Sequence, residues 1–203
     1  MSPRTYRSTV REQSAAATRT AILDAAETLF ADHGYAQVTV KRVAEAAEVA
    51  QGTVYAAFGN KPALVAALAG RAAGDAGIGE ALAAIERAAT GEEVVRLMVR
   101  QTRDLVRRHG RSMTLLVDAA AVDQNLAVLL RDTEELRRER YSRVARRLER
   151  LGALRPGVTA SDALRVLEYF VTPQSWLRTR QLGWEWEEAE VFLAEAAEAA
   201  LLP

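Results

Sequence analysis

The sequence has no cysteine and only two histidines in 203 residues. Without cysteine there is no disulfide framework, no thiolate metal site and no cysteine nucleophile, and a reducing cytoplasm is the expected home. The histidines, His33 and His109, each precede a glycine, as at a helix C-terminus where an imidazolium complements the helix dipole. No metal-spaced cluster, Gly-rich phosphate loop or nucleophile elbow can be assembled, so neither catalysis nor a cofactor nor a metal site is expected. Long apolar runs are lacking too. MTLLVDAAAV and AEAAEAALLP fall well short of the roughly 20 residues a membrane span needs, and the opening MSPRTYRSTVREQSA has no apolar centre of a signal peptide. Charge of one sign is also missing, with 27 basic against 27 acidic residues. Any affinity for nucleic acid must therefore come from a local patch.

What is present is 49% hydrophobic residues, enough to bury a core in one large domain or two unequal ones. Charge is polarised along the chain. Residues 1–20 carry four arginines against one glutamate, whereas the last 21 residues carry six glutamates and no base. Ala, Leu, Arg and Glu dominate and no long stretch alternates, so the chain reads as all-α. A first helix is expected from about Thr18 to His33, with Ile22, Ala25, Ala26, Leu29 and Phe30 inward and Gly34 at its end. A second, short helix begins after Thr39, whose hydroxyl can cap it, and turns Val40, Val43, Ala44 and Ala47 inward.

After a three-residue turn a third helix runs from about Gln51 to Phe58. Its Val54, Ala57 and Phe58 face a core, which leaves Gln51, Gly52 and Tyr55 together outside. Two short helices around a tight turn form a helix-turn-helix, whose second helix can enter the major groove. Gln51 can then reach a base edge, Gly52 lets the backbone come close, and Thr53, Tyr55 and Lys61 can hold phosphates. Lys41 and Arg42 add charge at the positive end of the preceding helix. The same pattern would also arise in a helical hairpin that binds nothing.

The run RTAILDAAETLFADHGYAQVTVKRVAEAAEVAQGTVYAAFGNKPAL, residues 19–64, resembles the N-terminal domain of TetR-family transcriptional regulators. The matching pieces are an IL-x-AA-x-x-LF opening, a helix beginning T-V, a turn, and G-T-V-Y-x-x-F-x-x-K. The resemblance implies base contacts at Lys41 and Gln51 and phosphate contacts at Thr39, Thr53, Tyr55 and Lys61. The turn departs from the family's A-G-V-S: here it is Ala47-Glu48-Val49-Ala50, without the glycine and without the serine that would cap the next helix. A non-glycine residue in a left-handed turn is expected to be strained, and the first amides of the helix to lack a side-chain partner.

Residues 1–17, with their Ser, Thr, Ala and spaced Arg, are expected to form a flexible arm, and the resemblance implies a DNA-binding domain over 18–62 and a ligand-binding and dimerisation domain over 63–203. Helices are expected at about Pro62–Ala73, Gly79–Ala89, Glu92–Arg108, Ser112–Ala121, Gln124–Leu151, Ser161–Leu182 and Trp186–Leu201. Pro173 should kink or break the penultimate one near Thr172. In the last, Phe192, Ala196, Ala199 and Ala200 form an apolar strip bordered by Leu193 and Ala197, suited either to a dimer interface or to an intramolecular core.

Candidate ligand contacts are Met98, Thr102, Asp118, Tyr141, Phe170 and Trp176: polar groups on apolar stripes, and aromatics beside the expected kink. The nine arginines from 131 to 155 read as a solvated face. The expected whole is a cytoplasmic homodimer that binds a palindromic double-stranded operator and is released by a small molecule, without membrane contact. A dimeric DNA-binding regulator with no ligand is the nearest alternative, and a helical small-molecule-binding enzyme a remoter one.

Overall fold

The computed structural model describes residues 3–203, with side chains from Glu12 onward. The described residues are helical, in the order α1 (Pro3–Gln37), α2 (Val40–Ala46), α3 (Gln51–Phe58), α4 (Lys61–Ala73), α5 (Ala76–Arg87), α6 (Gly91–Ala120), α7 (Gln124–Arg150), α8 (Ala160–Phe170), α9 (Pro173–Gln181) and α10 (Trp186–Leu201). They form two compact units. One comprises residues 1–70 with 114–129, the other 71–113 with 130–203. The expected division at residue 62 gave 63–203 to a single domain. The packing instead assigns the end of α6 and the start of α7 to the N-terminal unit, and the chain crosses between units within α4, α6 and α7.

The arm expected over residues 1–17 continues α1 back to Pro3. Ala15, Ala16 and Ala17 are strong helix formers, and residues 12–17 are exposed, so helix propensity favours this segment without burial of 12–17. Residues 1 and 2, and the side chains of Arg4, Arg7 and Arg11, lie outside the described residues. At its other end α1 is interrupted at Gly34, whose φ of 75° is the left-handed value that ends a helix.

Gly110 behaves differently. The histidine before it was expected to close a helix, yet α6 runs through, and Gly110 is buried. A Cβ there would sit 3.3 Å from Val106 Cγ1 and 3.6 Å from Leu177 Cδ2, so this glycine serves close packing against α9 and not chain reversal. His109 accordingly caps nothing; its Nε2 lies 2.9 Å from Asp75 Oδ2. Asp75 also accepts from the Gly77 amide at 2.9 Å, capping α5, and is bridged at both oxygens by Arg108 at 2.8 and 2.9 Å. These partners, the Arg108 hydrogen bond foremost, bring its carboxyl from 3.8 down to about 2.

Pro173 separates α8 from α9 completely. Proline takes the first position of α9, where no amide is needed, and the Thr172 hydroxyl accepts from the Ser175 amide at 3.3 Å. The second unit's core is built from Val94, Val95, Val99, Leu148, Leu167, Trp176, Leu193 and Leu201 among others. On α10 the buried face is Ala189, Leu193, Ala194, Ala197 and Leu201, while Val191 and Phe192 are exposed, so the helix shows both a core face and an uncovered apolar edge. Part of the acidic C-terminal charge is paired within this unit: Arg96 with Glu198 at 2.7 Å, Arg100 with Glu190 at 3.4 Å, and Arg103 also with Glu190.

Candidate nucleic-acid interface and ligand cavity

In the first unit Ile22, Leu23, Ala26 and Phe30 of α1, Val40, Val43 and Ala44 of α2 and Val54 of α3 are all buried. Ala25, Leu29, Ala47, Ala57 and Phe58 are only half-buried. Thr39 caps α2 as expected, its hydroxyl accepting from the Arg42 amide at 3.3 Å. The turn closes through the Val49 amide donating to the Ala44 carbonyl at 3.0 Å, with Glu48 at φ 53°. Ala50 caps α3 without any side-chain bond. The glycine and serine that the turn lacks therefore leave the two defects expected of them, a left-handed glutamate and uncapped amides.

Val54 is buried and Gln51, Gly52 and Tyr55 stand exposed on α3, with Thr53 half-buried. A Cβ on Gly52 would meet nothing within 4 Å. Lys41 is exposed, its ammonium 3.8 Å from Glu45, and Arg42 donates to the Gln37 carbonyl at 3.4 Å. Lys61 is less free than its sequence suggests. Its Nζ lies 4.2 Å from the Tyr35 ring centre and donates to the Ala36 carbonyl at 3.3 Å, and burial lowers its pKa.

Two further groups hold this surface in place and escaped the sequence reading. Arg19 lies over the Phe58 ring at 4.2 Å and donates to the Ala57 carbonyl, one of the unpaired carbonyls that close α3. Tyr35 has the Asp123 carboxylate as a neighbour, and burial first, with that charge second, raises its phenol pKa. Asp123 also accepts from the amides of Asn125 and Leu126 at 3.0 and 3.2 Å, capping α7. Neither pairing has a sequence signal, because the partners are tens of residues apart.

The second unit holds a cavity of about 50 Å³ between α5, α6 and α7, closed at one side by Pro173. Of the six expected ligand contacts, Met98, Thr102 and Tyr141 line it. The Thr102 hydroxyl donates to the Met98 carbonyl and the Tyr141 hydroxyl to the Val171 carbonyl, both at 2.9 Å. Burial pushes the Tyr141 phenol up to about 12, against the opposing pull of Arg137.

The other three expected contacts lie elsewhere. Asp118 is exposed and belongs to the first unit, because the helix drawn from Ser112 is the continuation of α6. Trp176 is fully buried in the core with its ring 5.9 Å from that of Trp186, so it packs and does not wall the cavity. Phe170 packs against the same core and edge-on to Tyr169 at 4.9 Å. In their place the lining includes Gln101 and two arginines from the run read as solvated, Arg137 and Arg140.

Residues 22–68 match the family described as "Bacterial regulatory proteins, tetR family". The chain is 29% identical over 158 residues to the uncharacterized HTH-type transcriptional regulator YdeS of Bacillus subtilis (strain 168), covering 76% of this chain and 72% of YdeS. Among solved structures, the SmeT–triclosan complex superposes with a TM-score of 0.72 at 26% identity, covering 92% of each chain. NalD, the secondary repressor of the MexAB-OprM multidrug efflux pump in Pseudomonas aeruginosa, gives a TM-score of 0.70 at 23% identity over 94% of this chain and 98% of its own, a likeness of fold. Taken with the helix-turn-helix and the second helical unit, these matches give the chain a tetR-family DNA-binding segment over residues 22–68 and the fold of TetR-type transcriptional regulators, which are not enzymes.

Proposed function

We propose that this protein is a cytoplasmic homodimeric repressor that reads a palindromic operator with α3 of each subunit and is released when a small molecule enters the cavity of the second unit. The observation that carries the reading is the exposure pattern of α3: Val54 is buried, while Gln51, Gly52 and Tyr55 are all open to solvent. A helix of this kind can lay Gln51 against a base edge, joined by Lys41 from α2, while Tyr55, Thr53, Thr39, Arg42 and Lys61 hold phosphates on either side. Phe192, Val191, Tyr169 and Leu182 are exposed apolar residues of the second unit, the kind of surface that a twofold partner covers. Among the described residues no helix is long and apolar enough to cross a membrane.

For release, the support is the cavity itself and the triclosan held by SmeT, a relative of the same fold. Three helices, α4, α6 and α7, pass from one unit to the other. A ligand filling space beside Met98 and Thr102 can bias all three helices, and the two recognition helices then lose the spacing of about 34 to 36 Å that adjacent major grooves demand. The modest cavity volume favours the alternative of a regulator without a ligand, because drug-sized ligands occupy roughly 300 Å³ or more. Operator binding by Gln51→Ala tests the reading. It should relax preference at one position per half-site, at about 1 to 3 kcal/mol, and a uniform loss across all sequences would remove Gln51 from the base-reading role.

A further inference from the structure

We propose that the cavity of the second unit is built for a small organic carboxylate, its anionic end held by Arg140 and the Gln101 amide and its apolar body set against Leu82, Ile85 and Val144. The proposal rests on the reading of that cavity as the effector site and names the chemistry of the effector.

The lining contains two guanidinium groups and no carboxylate. On the same helix, Arg138 pairs with Glu168 at 3.3 Å, Arg147 donates to the Ala88 carbonyl at 2.7 Å, and Arg150 meets Glu86 at 2.9 Å. Arg137 has Glu134 one turn away at 4.0 Å, the far edge of an ion pair. Arg140 has no ion pair or hydrogen bond among the described residues, although it is half-buried and burial works against its charge. A cation taken partly out of water without a counter-charge is costly, and an anion entering the cavity removes that cost.

The neutral groups point the same way. Gln101 Nε2 is buried and donates to nothing, a deficit that an incoming oxygen makes good. Thr102 and Tyr141 have already committed their hydroxyl hydrogens to backbone carbonyls, so the unspent hydrogens of the site belong to Gln101 and the arginines. A planar carboxylate suits an arginine fork, and charge-assisted bonds of this type are the strong ones. The space of about 50 Å³ holds roughly four water-sized groups, which limits the ligand to a compact acid unless the side chains of α5 give way.

The test uses the full-length protein with two matched pairs of compact probes, acetate against ethanol and propionate against propan-1-ol, read by calorimetry and by the ligand-induced rise in Tm. At least one acid should bind about tenfold or more tightly than its alcohol. Arg140→Gln should abolish that preference while leaving the alcohol's affinity unchanged; Arg140→Lys should keep part of it, and Leu82→Trp should block both probes. Equal binding of acid and alcohol, survival of the preference in Arg140→Gln, or no binding of either acid at tens of millimolar would each overturn the carboxylate site. Acid binding that depends on Arg140 yet leaves operator affinity unchanged would keep the site and overturn its role as the effector site.

Discussion

The Val49 amide reaches back 3.0 Å to the Ala44 carbonyl, and this bond closes the turn between α2 and α3 by forcing Glu48 to a φ of 53°. A side chain in the left-handed region costs about 1 to 2 kcal/mol, which glycine avoids. Glu48→Gly should therefore stabilise the protein by about 1 kcal/mol, and Ala50→Ser should add about as much by capping α3. Both are checked by a higher urea midpoint at unchanged slope.

Two glycines separate stability from recognition. A Cβ on buried Gly91 would lie 2.8 Å from Ala153 Cβ and 2.9 Å from Leu202 Cδ2, so Gly91→Ala should cost about 1 to 3 kcal/mol. Gly52 stands in open space on α3, where alanine is the better helix former by up to about 1 kcal/mol. Gly52→Ala should hold or raise Tm while lowering operator affinity, because the new methyl stands where the backbone must approach DNA. Thermal melts and fluorescence anisotropy on the same preparations read both effects.

Asp75 gives an acid dependence of known sign. Its folded pKa, about 2, lies below the ordinary 3.8, so its contribution is complete above that ordinary value and is lost as pH falls through the folded one. Arg108, its main partner, is 47% exposed, and solvent screening leaves about 1 to 2 kcal/mol at neutral pH. Asp75→Asn should lose that amount at pH 7 and flatten the fall of stability between about pH 4 and 2, as followed by urea titrations across this range.

Lys61 and Tyr55 should part company. Removing Lys61 takes away a cation from the Tyr35 ring and a donor from the Ala36 carbonyl, so Lys61→Ala should cost about 1 kcal/mol of stability and lower the salt slope of DNA binding by about one per site. Tyr55 is 48% exposed, and Tyr55→Phe should leave Tm unchanged while weakening all duplexes about equally. A salt slope untouched by Lys61→Ala would mean that its ammonium serves only the fold.

What the sequence made legible follows the range of the physics. Local features survive intact: the Thr39 cap, the Gln51–Phe58 helix with its outer face, the break at Pro173 and the strained Glu48 turn all depend on neighbours within a few residues. Pairings across the chain do not. Arg140 looked like one more arginine on a solvated face, and only the packing of α5 and α6 against α7 turns it to a cavity. Trp176 seemed an aromatic wall beside a kink, but it is fully buried in the core of the second unit. Gly110 read as a helix end because a glycine needed for close packing is written with the same letter as one needed for a left-handed turn.

The central claim is that α3 reads DNA, and selection of bound duplexes from a random pool by the purified protein tests it most directly. The predicted result is enrichment of an inverted repeat whose preference at one position per half-site is relaxed in Gln51→Ala. Failure to enrich any palindrome, or an identical preference from wild type and Gln51→Ala, would contradict it.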